Sequence, residues 1–254
     1  MKISFVIPAH NEERMIGKCL ASVFTEIDRI PNDGHLMSVD VEVVVVDNKS
    51  TDRTREEALR FPNVTVVREN LKGLVYARRA GWVATDGDLV ANIDADTLVP
   101  KGWLQTVMKE FEKDKNLVAL SGPYIYYDLP AWKRVLVKVF YFLGWLIHLV
   151  NHHVLHAGAM IQGGNFVLRR GAWDSVGGFD TTISFYGEDT DVAKRIGKVG
   201  KVKWTWGLPM YTTGRRLDKE GLVKMSFIYT LNHLSILWTG KPATKHYSDV
   251  RIDA

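Results

Sequence analysis

Cysteine is almost absent. The single Cys19 in 254 residues excludes a disulfide within the chain, and a reducing, cytosolic compartment fits that composition. Cys19 falls in an amphipathic segment and is expected to be a small core residue. No apolar run reaches the ~20 residues that a bilayer-spanning helix needs, and the most apolar stretch, Val139 to Ile147, is too short. Ahead of the first strand pattern, Ile3 to Ile7, there is no charged leader, long apolar segment or small-residue cleavage site, so export by a signal peptide is not expected. Basic runs interleaved with aromatics are also missing. A net charge of +4 mildly favours acidic ligands or lipid headgroups, with no sign of a nucleic-acid groove. Nor does a Gly/Ser-rich linker, internal repeat or low-complexity tract divide the chain. What is present is an ordinary globular composition, 46% hydrophobic and 24% charged, enough for a sizeable core and too apolar for a disordered chain.

Strand-like runs at Ile3 to Ile7, Val41 to Val46, Val64 to Val67 and Leu89 to Ile93 alternate with longer stretches that read as helices, the rhythm of βαβ units. The first helix is expected over Glu13 to Ile27, where Ile16, Leu20, Val23, Phe24 and Ile27 recur at three-to-four-residue spacing and Glu13 supplies an acidic start. Runs apolar on both faces, such as Val43-Val44-Val45-Val46, belong in a mostly parallel sheet covered by helices on each side. The fold class is therefore α/β, doubly wound and Rossmann-like. After Pro100 a helix over Gly102 to Glu112, a short strand over Val118 to Ser121, the apolar stretch Val135 to Val150 and a helix over Leu222 to Trp238 continue it. One domain, 1–254, is expected, with a nucleotide-binding half (1–99) and an acceptor-binding half (100–254).

The chemistry concentrates at Asp94-Ala95-Asp96. An apolar strand delivers two carboxylates, one residue apart, to its C-terminal end, where open α/β sheets build their sites. Hard oxygen donors so placed suit Mn²⁺ or Mg²⁺ held against a ligand's phosphates. An Asp-x-Asp is common by chance, so its context must carry the inference. Three further segments supply that context. Pro8-Ala9-His10-Asn11-Glu12 leaves the first strand. Asp47-Asn48-Lys49-Ser50-Thr51-Asp52 leaves the second, with Asp52 placed to cap the next helix. Gly187-Glu188-Asp189-Thr190-Asp191 precedes the helical pattern Val192 to Val199. Asp47 can accept hydrogen bonds from a base N–H, Pro8 and Ala9 can offer backbone and apolar contact, and Glu12 can reach a ribose.

In this order and spacing the four segments resemble the GT-A-fold family 2 glycosyltransferases, which use nucleotide-diphosphate sugars. Gly73 to Gly81, Gly163-Gly164-Asn165, Gly177-Gly178-Phe179-Asp180 and Thr213-Gly214-Arg215-Arg216 are similar to further stretches of that family. The resemblance implies that Asp96 is the direct metal ligand, that Asp94 contacts the donor's ribose or assists the metal, and that Arg78 faces the phosphates. It also implies a uridine-type pocket, with GDP-sugars not excluded by Asp47. Asp189 is implied as the base of an inverting transfer, with Glu188 binding the acceptor or orienting the loop. Gly164, Asn165, Arg215 and Arg216 are implied on the acceptor side, the two arginines being candidates also, with Arg78 ahead of Arg79, to face the phosphates. The Gln-x-x-Arg-Trp pattern of cellulose- and chitin-type synthases is missing, so transfer of a single sugar is expected, to a glycan, lipid-linked or polyprenyl-phosphate acceptor.

Two rival readings fare worse. A sugar nucleotidyltransferase calls for a Gly-rich, basic phosphate loop after the first strand, and Pro8 to Glu12 has the wrong chemistry for one. A non-catalytic nucleotide-sugar or membrane-binding module has no need of both the acid pair and Asp189. Finally, Lys133, Arg134 and Lys138 flank an aromatic-rich apolar run, the pattern of a helix lying on an anionic membrane. A cytoplasmic protein, peripheral on the inner face of the membrane, is the expectation. His148, His152 and His156 share a helical face there and read as a polar stripe, with no Cys or acidic partner to suggest a metal site.

Overall fold

A computed structural model describes residues 1–30, 39–150, 160–183 and 185–244. The first half winds as β1 (Lys2–Ala9), α1 (Ile16–Ile27), β2 (Asp40–Asp47), α2 (Thr54–Leu59), β3 (Val64–Arg68), α3 (Leu74–Val83) and β4 (Leu89–Ile93). The second half continues with β5 (Thr97–Leu98), α4 (Trp103–Lys113), β6 (Leu117–Ser121), β7 (Tyr124–Tyr126), α5 (Ala131–Val150), β8 (Asn165–Arg169) and α6 (Arg170–Ser175). It closes with α7 (Glu188–Ile196), β9 (Lys201–Trp204), β10 (Met210–Thr212), α8 (Arg215–Glu220) and α9 (Leu222–Thr239).

Seven strands form the central sheet in the order β3-β2-β1-β4-β8-β6-β9. All pairings are parallel except those of β8, which runs antiparallel to both β4 and β6. Strand alternation feeds cores on both faces: Ile3, Phe5 and Ile7 of β1 enter one cluster with α1 and α4, whereas Val6 enters another with Trp82 and Trp173. Gly81 lets α3 lie close on the sheet, since a Cβ there would sit 2.2 Å from the Val6 side chain. The reversal of β8 matters most for the site. Ile93 pairs with Asn165, so the segment entering β8, Gly163-Gly164, lies beside the residues leaving β4, Asp94 to Asp96.

The doubly wound, mostly parallel sheet agrees with the sequence pattern, and the four strands expected in the first half all form. One boundary differs with a physical cause. The first helix begins at Ile16, with no acid in its first turn, because Glu13 instead accepts hydrogen bonds from Arg53 N and Nε at 3.1 and 3.3 Å. A second, three-stranded sheet, β5-β10-β7, was not anticipated; strands of two or three residues leave no readable periodicity.

The apolar stretch becomes α5. Val137 and Tyr141 enter the core, whereas Trp132, Val135, Val139 and Phe142 are about half exposed or more. The segment is therefore neither a fully buried helix nor an entirely free one. Among the described residues no helix is long and apolar enough to cross a membrane. The histidine stripe cannot be placed: His152, His156 and the side chain of His148 lie outside the described residues. The helix over Leu222 to Thr239 forms as expected, but it packs chiefly on α7 and α8, with Met225, Asn232 and Ile236 buried.

Candidate active site

The C-terminal ends of β1 and β2 are stitched into one rim by the polar residues that follow them. Asn11 Oδ1 accepts from Thr51 N at 2.8 Å, Glu12 N donates to Thr54 Oγ1 at 2.7 Å, and Glu13 N donates to Asp52 Oδ2 at 3.1 Å. Asp52 also accepts from Thr54 N at 3.0 Å, so it serves the start of α2 from one residue ahead of the N-cap, Arg53. Asn48 anchors the next loop, accepting from Gly73 N at 2.8 Å and donating to the Leu71 carbonyl at 2.7 Å. A cavity lined by Pro8, Ala9, His10, Asn48, Gly73 and Leu74 opens at this rim. The His10 ring meets the Asn48 carbonyl at 2.9 Å, tying the ends of β1 and β2 together. Asp47 is buried beside the cavity and its Oδ1 accepts from Ser50 N at 3.0 Å. That bond shapes the turn and occupies one of the oxygens expected to meet a nucleobase.

Beyond β4 the acids divide into two networks separated by the buried Ala95. Asp94 Oδ2 accepts from Tyr124 OH at 3.0 Å, and the same hydroxyl reaches the Gly163 carbonyl at 2.5 Å. Asp94 Oδ1 lies 3.4 Å from Arg78 Nη2, and the Arg78 guanidinium also pairs with Glu188. Arg78 is 1% exposed and stacks 5.1 Å over the Phe166 ring. It thus links two carboxylates from inside the protein, and it is the neighbouring Arg79 that is exposed. Gly164, at φ +77, leaves room for this arrangement, because a Cβ there would lie 2.1 Å from both Asp94 Oδ2 and the Tyr124 hydroxyl.

Asp189 stands on the other side of the same loop. Its Oδ2 accepts from Gly163 N at 3.2 Å and its Oδ1 from Thr190 N at 2.7 Å. It is partly exposed, whereas Glu188 is 6% exposed. Burial raises the Glu188 pKa to about 7 against the opposing pull of Arg78. Burial by itself would lower the Arg78 pKa, but the Glu188 and Asp94 carboxylates raise it, so the cation stays fixed between them. Asp191, by contrast, is spent within α7 on Arg195, at 2.6 Å.

The second network surrounds Asp96. Its Oδ2 accepts from Thr213 Oγ1 at 2.8 Å and from Arg215 Nη2 at 2.9 Å. The same Nη2 reaches both Glu12 oxygens, at 2.8 and 2.9 Å. Glu12 is 5% exposed, so its carboxylate holds Arg215 and is not presented to a ribose. Arg215 accordingly sits between Asp96 and Glu12 rather than apart from them on the acceptor side. Arg216 pairs instead with Glu220 at 2.9 Å and stacks 4.8 Å over Phe185, which itself lines the cavity at the rim of β1 and β2. Asn165 is corrected too. It is fully buried, and its amide is consumed by Trp103 Nε1 and the carbonyls of Gly122 and Leu208. Its work is to brace the turn into β7, which carries Tyr124. The sequence reading missed Tyr124, for which the aromatic run after Gly122-Pro123 is the one hint, and the role of Thr213.

The donor set fits a hard divalent cation in one respect. Asp96 is a partly exposed carboxylate whose Oδ1 makes no hydrogen bond among the described residues, whereas both Asp94 oxygens are engaged. Among the described residues no three His, Cys, Asp or Glu side chains converge to hold a metal by themselves. A cation here would need oxygens from a bound diphosphate, as octahedral Mg²⁺ or Mn²⁺ sites commonly do.

Known proteins resemble this chain in sequence and fold. The family model "Glycosyl transferase family 2" matches residues 4–176. Probable glycosyltransferase YdaM of Bacillus subtilis is 26% identical over 218 residues, 78% of this chain and 47% of that protein. Dolichol-phosphate mannosyltransferase of Pyrococcus furiosus is 33% identical over 129 residues, 49% of this chain and 34% of that one. The chain thus spans half or less of the length of these curated relatives. Among solved structures, mannosyltransferase PcManGT of Pyrobaculum calidifontis, in complex with GDP-Man and Mn²⁺, superposes with a TM-score of 0.66 at 22% identity, covering 91% of this chain and 61% of its own. Glucosyl-3-phosphoglycerate synthase of Mycobacterium tuberculosis, with Mn²⁺ and UDP-glucose, gives 0.63 at 21%, covering 96% and 80%. With a GT-A-type fold and a family match across most of its length, the chain belongs to glycosyl transferase family 2.

Proposed function

We propose that the protein is a metal-dependent, inverting glycosyltransferase that moves one sugar from a nucleotide-diphosphate sugar, UDP ahead of GDP, to a glycan, lipid-linked or polyprenyl-phosphate acceptor at the cytoplasmic face of a membrane. The observation that carries this is the Gly163-Gly164 loop, which has Asp94 against one residue and Asp189 against the other. A donor-side acid and a base are thereby held on two sides of one rigid turn.

A bound Mn²⁺ or Mg²⁺ would stabilise the negative charge that develops on the departing diphosphate. Asp96 would hold it, with Asp94 supporting the donor. Asp189 takes the proton of the acceptor hydroxyl as that oxygen attacks from the face opposite the leaving group. Its two backbone N–H partners aim the carboxylate, and its partial exposure leaves it open to an acceptor. Glu188 is unsuited to that step because it is buried against Arg78; it fixes the loop. The metal-bound and nucleotide-sugar-bound structures of the relatives lend support to this chemistry, and the polyprenyl-type acceptor rests on the likeness to the dolichol-phosphate enzyme.

The reading is tested by measuring nucleotide release from a panel of UDP- and GDP-sugars with and without Mn²⁺. Metal-dependent release from at least one donor is expected. No release from any of them, alongside no thermal stabilisation by UDP or GDP with Mn²⁺, would remove the transferase assignment.

A further inference from the structure

We infer that the solvent face of the small sheet, from Asp96 to a groove beside Trp206, is a binding track for the remote part of an anionic saccharide acceptor. The inference rests on the glycosyltransferase reading above and deepens it by naming the acceptor's chemistry. β5 and β10 pair antiparallel, Thr97 with Thr212 and Leu98 with Tyr211. Burial alternates along both chains: Thr97, Val99, Met210 and Thr212 are buried, whereas Asp96, Leu98, Pro100, Pro209, Tyr211 and Thr213 reach the surface. A period of two puts that second set on one face. The hydrogen bond from Thr213 Oγ1 to Asp96 Oδ2 at 2.8 Å closes the face at its active-site end. Its other end, at Pro100 and Pro209, lies roughly 13 Å away at a strand's rise per residue.

There a groove of about 600 Å³ opens between the start of α4 and the β9–β10 loop, with Lys101, Gln105, Thr106, Lys109, Trp206 and Pro209 in its lining. Volumes of that order hold ligands. Trp206 is 45% exposed, yet its ring is set edge-on to the buried Trp204 with centroids 4.7 Å apart. The loop that carries it is fixed from beneath: Thr205 N donates to the Ser121 carbonyl at 2.9 Å, and the Leu208 carbonyl accepts from Asn165 Nδ2 at 2.8 Å. A large exposed aromatic is thus held rigid in advance, the kind of platform on which the C–H face of a sugar ring packs at little entropic cost. Tyr211, 39% exposed, supplies a second one nearer Asp96. Gln105 and Thr106 offer hydrogen bonds to sugar hydroxyls. The charge is one-sided. No acid lines the groove among the described residues, and Lys101 and Lys109 are exposed. The acids further along this stretch, Glu110 and Asp114, are taken by Lys203 and Lys201 at 2.7 and 2.9 Å. Uncountered lysines beside aromatic platforms select a saccharide that carries carboxylate or phosphate groups.

The test is isothermal titration without nucleotide, metal or turnover, using tetragalacturonate, a phosphorylated maltotetraose and plain maltotetraose. At least one acidic tetramer should bind about tenfold or more tightly than the neutral one, with affinity falling as salt is raised. Trp206→Ala should weaken that binding by at least about tenfold, the usual effect of truncating an aromatic anchor. Lys101→Glu with Lys109→Glu should abolish the preference for acidic tetramers. All three side chains are exposed, so both variants should fold and keep the wild-type thermal stabilisation by UDP or GDP with Mn²⁺. If neither acidic tetramer binds better than maltotetraose, or if binding survives both variants, the track is overturned. Equally tight binding of a tetranucleotide would reveal attraction to charge alone and overturn it too. A protein that fails here while releasing nucleotide from a sugar donor loses the track and keeps the transferase assignment. One that passes without releasing nucleotide binds saccharides at Trp206, and the track's acceptor role falls with that assignment.

Discussion

At the residue scale, two carboxylates carry different burdens and the structure separates their tests. Asp96→Ala removes a partly exposed side chain whose partners are Thr213 and Arg215, so the fold should survive. Stabilisation by UDP or GDP with Mn²⁺ should vanish from thermal melts; a variant still stabilised as wild type is would move the metal elsewhere. Asp189→Asn should keep donor affinity and lower turnover by about 10²–10⁴-fold, the usual worth of a general base. Glu188→Gln should behave differently, chiefly costing stability, by about 3 kcal/mol, because it breaks a buried pair with Arg78. If the glutamine variant alone loses transfer at unchanged stability, the base is Glu188. The sequence made these acids legible because each closes a strand or opens a helix. It could not reveal that Asn165 is spent on three internal bonds or that Arg216 folds back onto Glu220, since both outcomes depend on rotamers and on strands distant along the chain.

At the element scale, hydrophobic period was the dependable signal. Long runs apolar on both faces, in β1, β2 and β4, became interior strands as their composition requires, whereas β5, β7 and β10 were too short to carry a pattern. The amphipathic reading of α5 needs refinement. Lys133 is tied to Asp218 at 2.5 Å and lies over Trp132, which leaves Arg134 and Lys138 exposed beside the apolar face of Trp132, Val135, Val139 and Phe142. Docking on an anionic bilayer would therefore draw on two basic residues, each worth about 1 kcal/mol near such a surface. Reversal of both, as Arg134→Glu with Lys138→Glu, should lower binding to phosphatidylserine vesicles by at least about tenfold at low salt, with a smaller difference at high salt. Equal co-sedimentation of wild type and variant would remove the electrostatic part of the membrane reading, and no sedimentation of wild type would remove all of it.

At the scale of the whole molecule, the seam between α9 and α7 joins the last described helix to the one that carries Asp189. His233 of α9 meets Thr190 Oγ1 at 3.1 Å, and burial lowers its pKa below the ordinary 6.5 despite the opposing charge of Asp189. Protonation is thus easier in the unfolded chain. Above pH 6.5 both states are neutral at this position and the seam contributes fully; as pH falls through 6.5 toward the lower folded value, the unfolded state takes up the proton first and stability is lost. Glu188 acts with the opposite sign. Its pKa is raised from 4.5 to about 7, so between those values rising pH ionises the unfolded chain first and costs stability. The two groups oppose one another across the mildly acidic range, and removing one should expose the other. His233→Gln retains a hydrogen-bonding side chain for Thr190 but has no proton to take up. Urea unfolding at pH 5 and pH 8 should show the variant gaining relative to wild type at the lower pH, and its stability falling more steeply as pH rises from 5 to 7. A wild-type minus variant difference that is constant across that range would mean the α7–α9 seam does not sense protonation, and that His233 serves there only as a packed side chain.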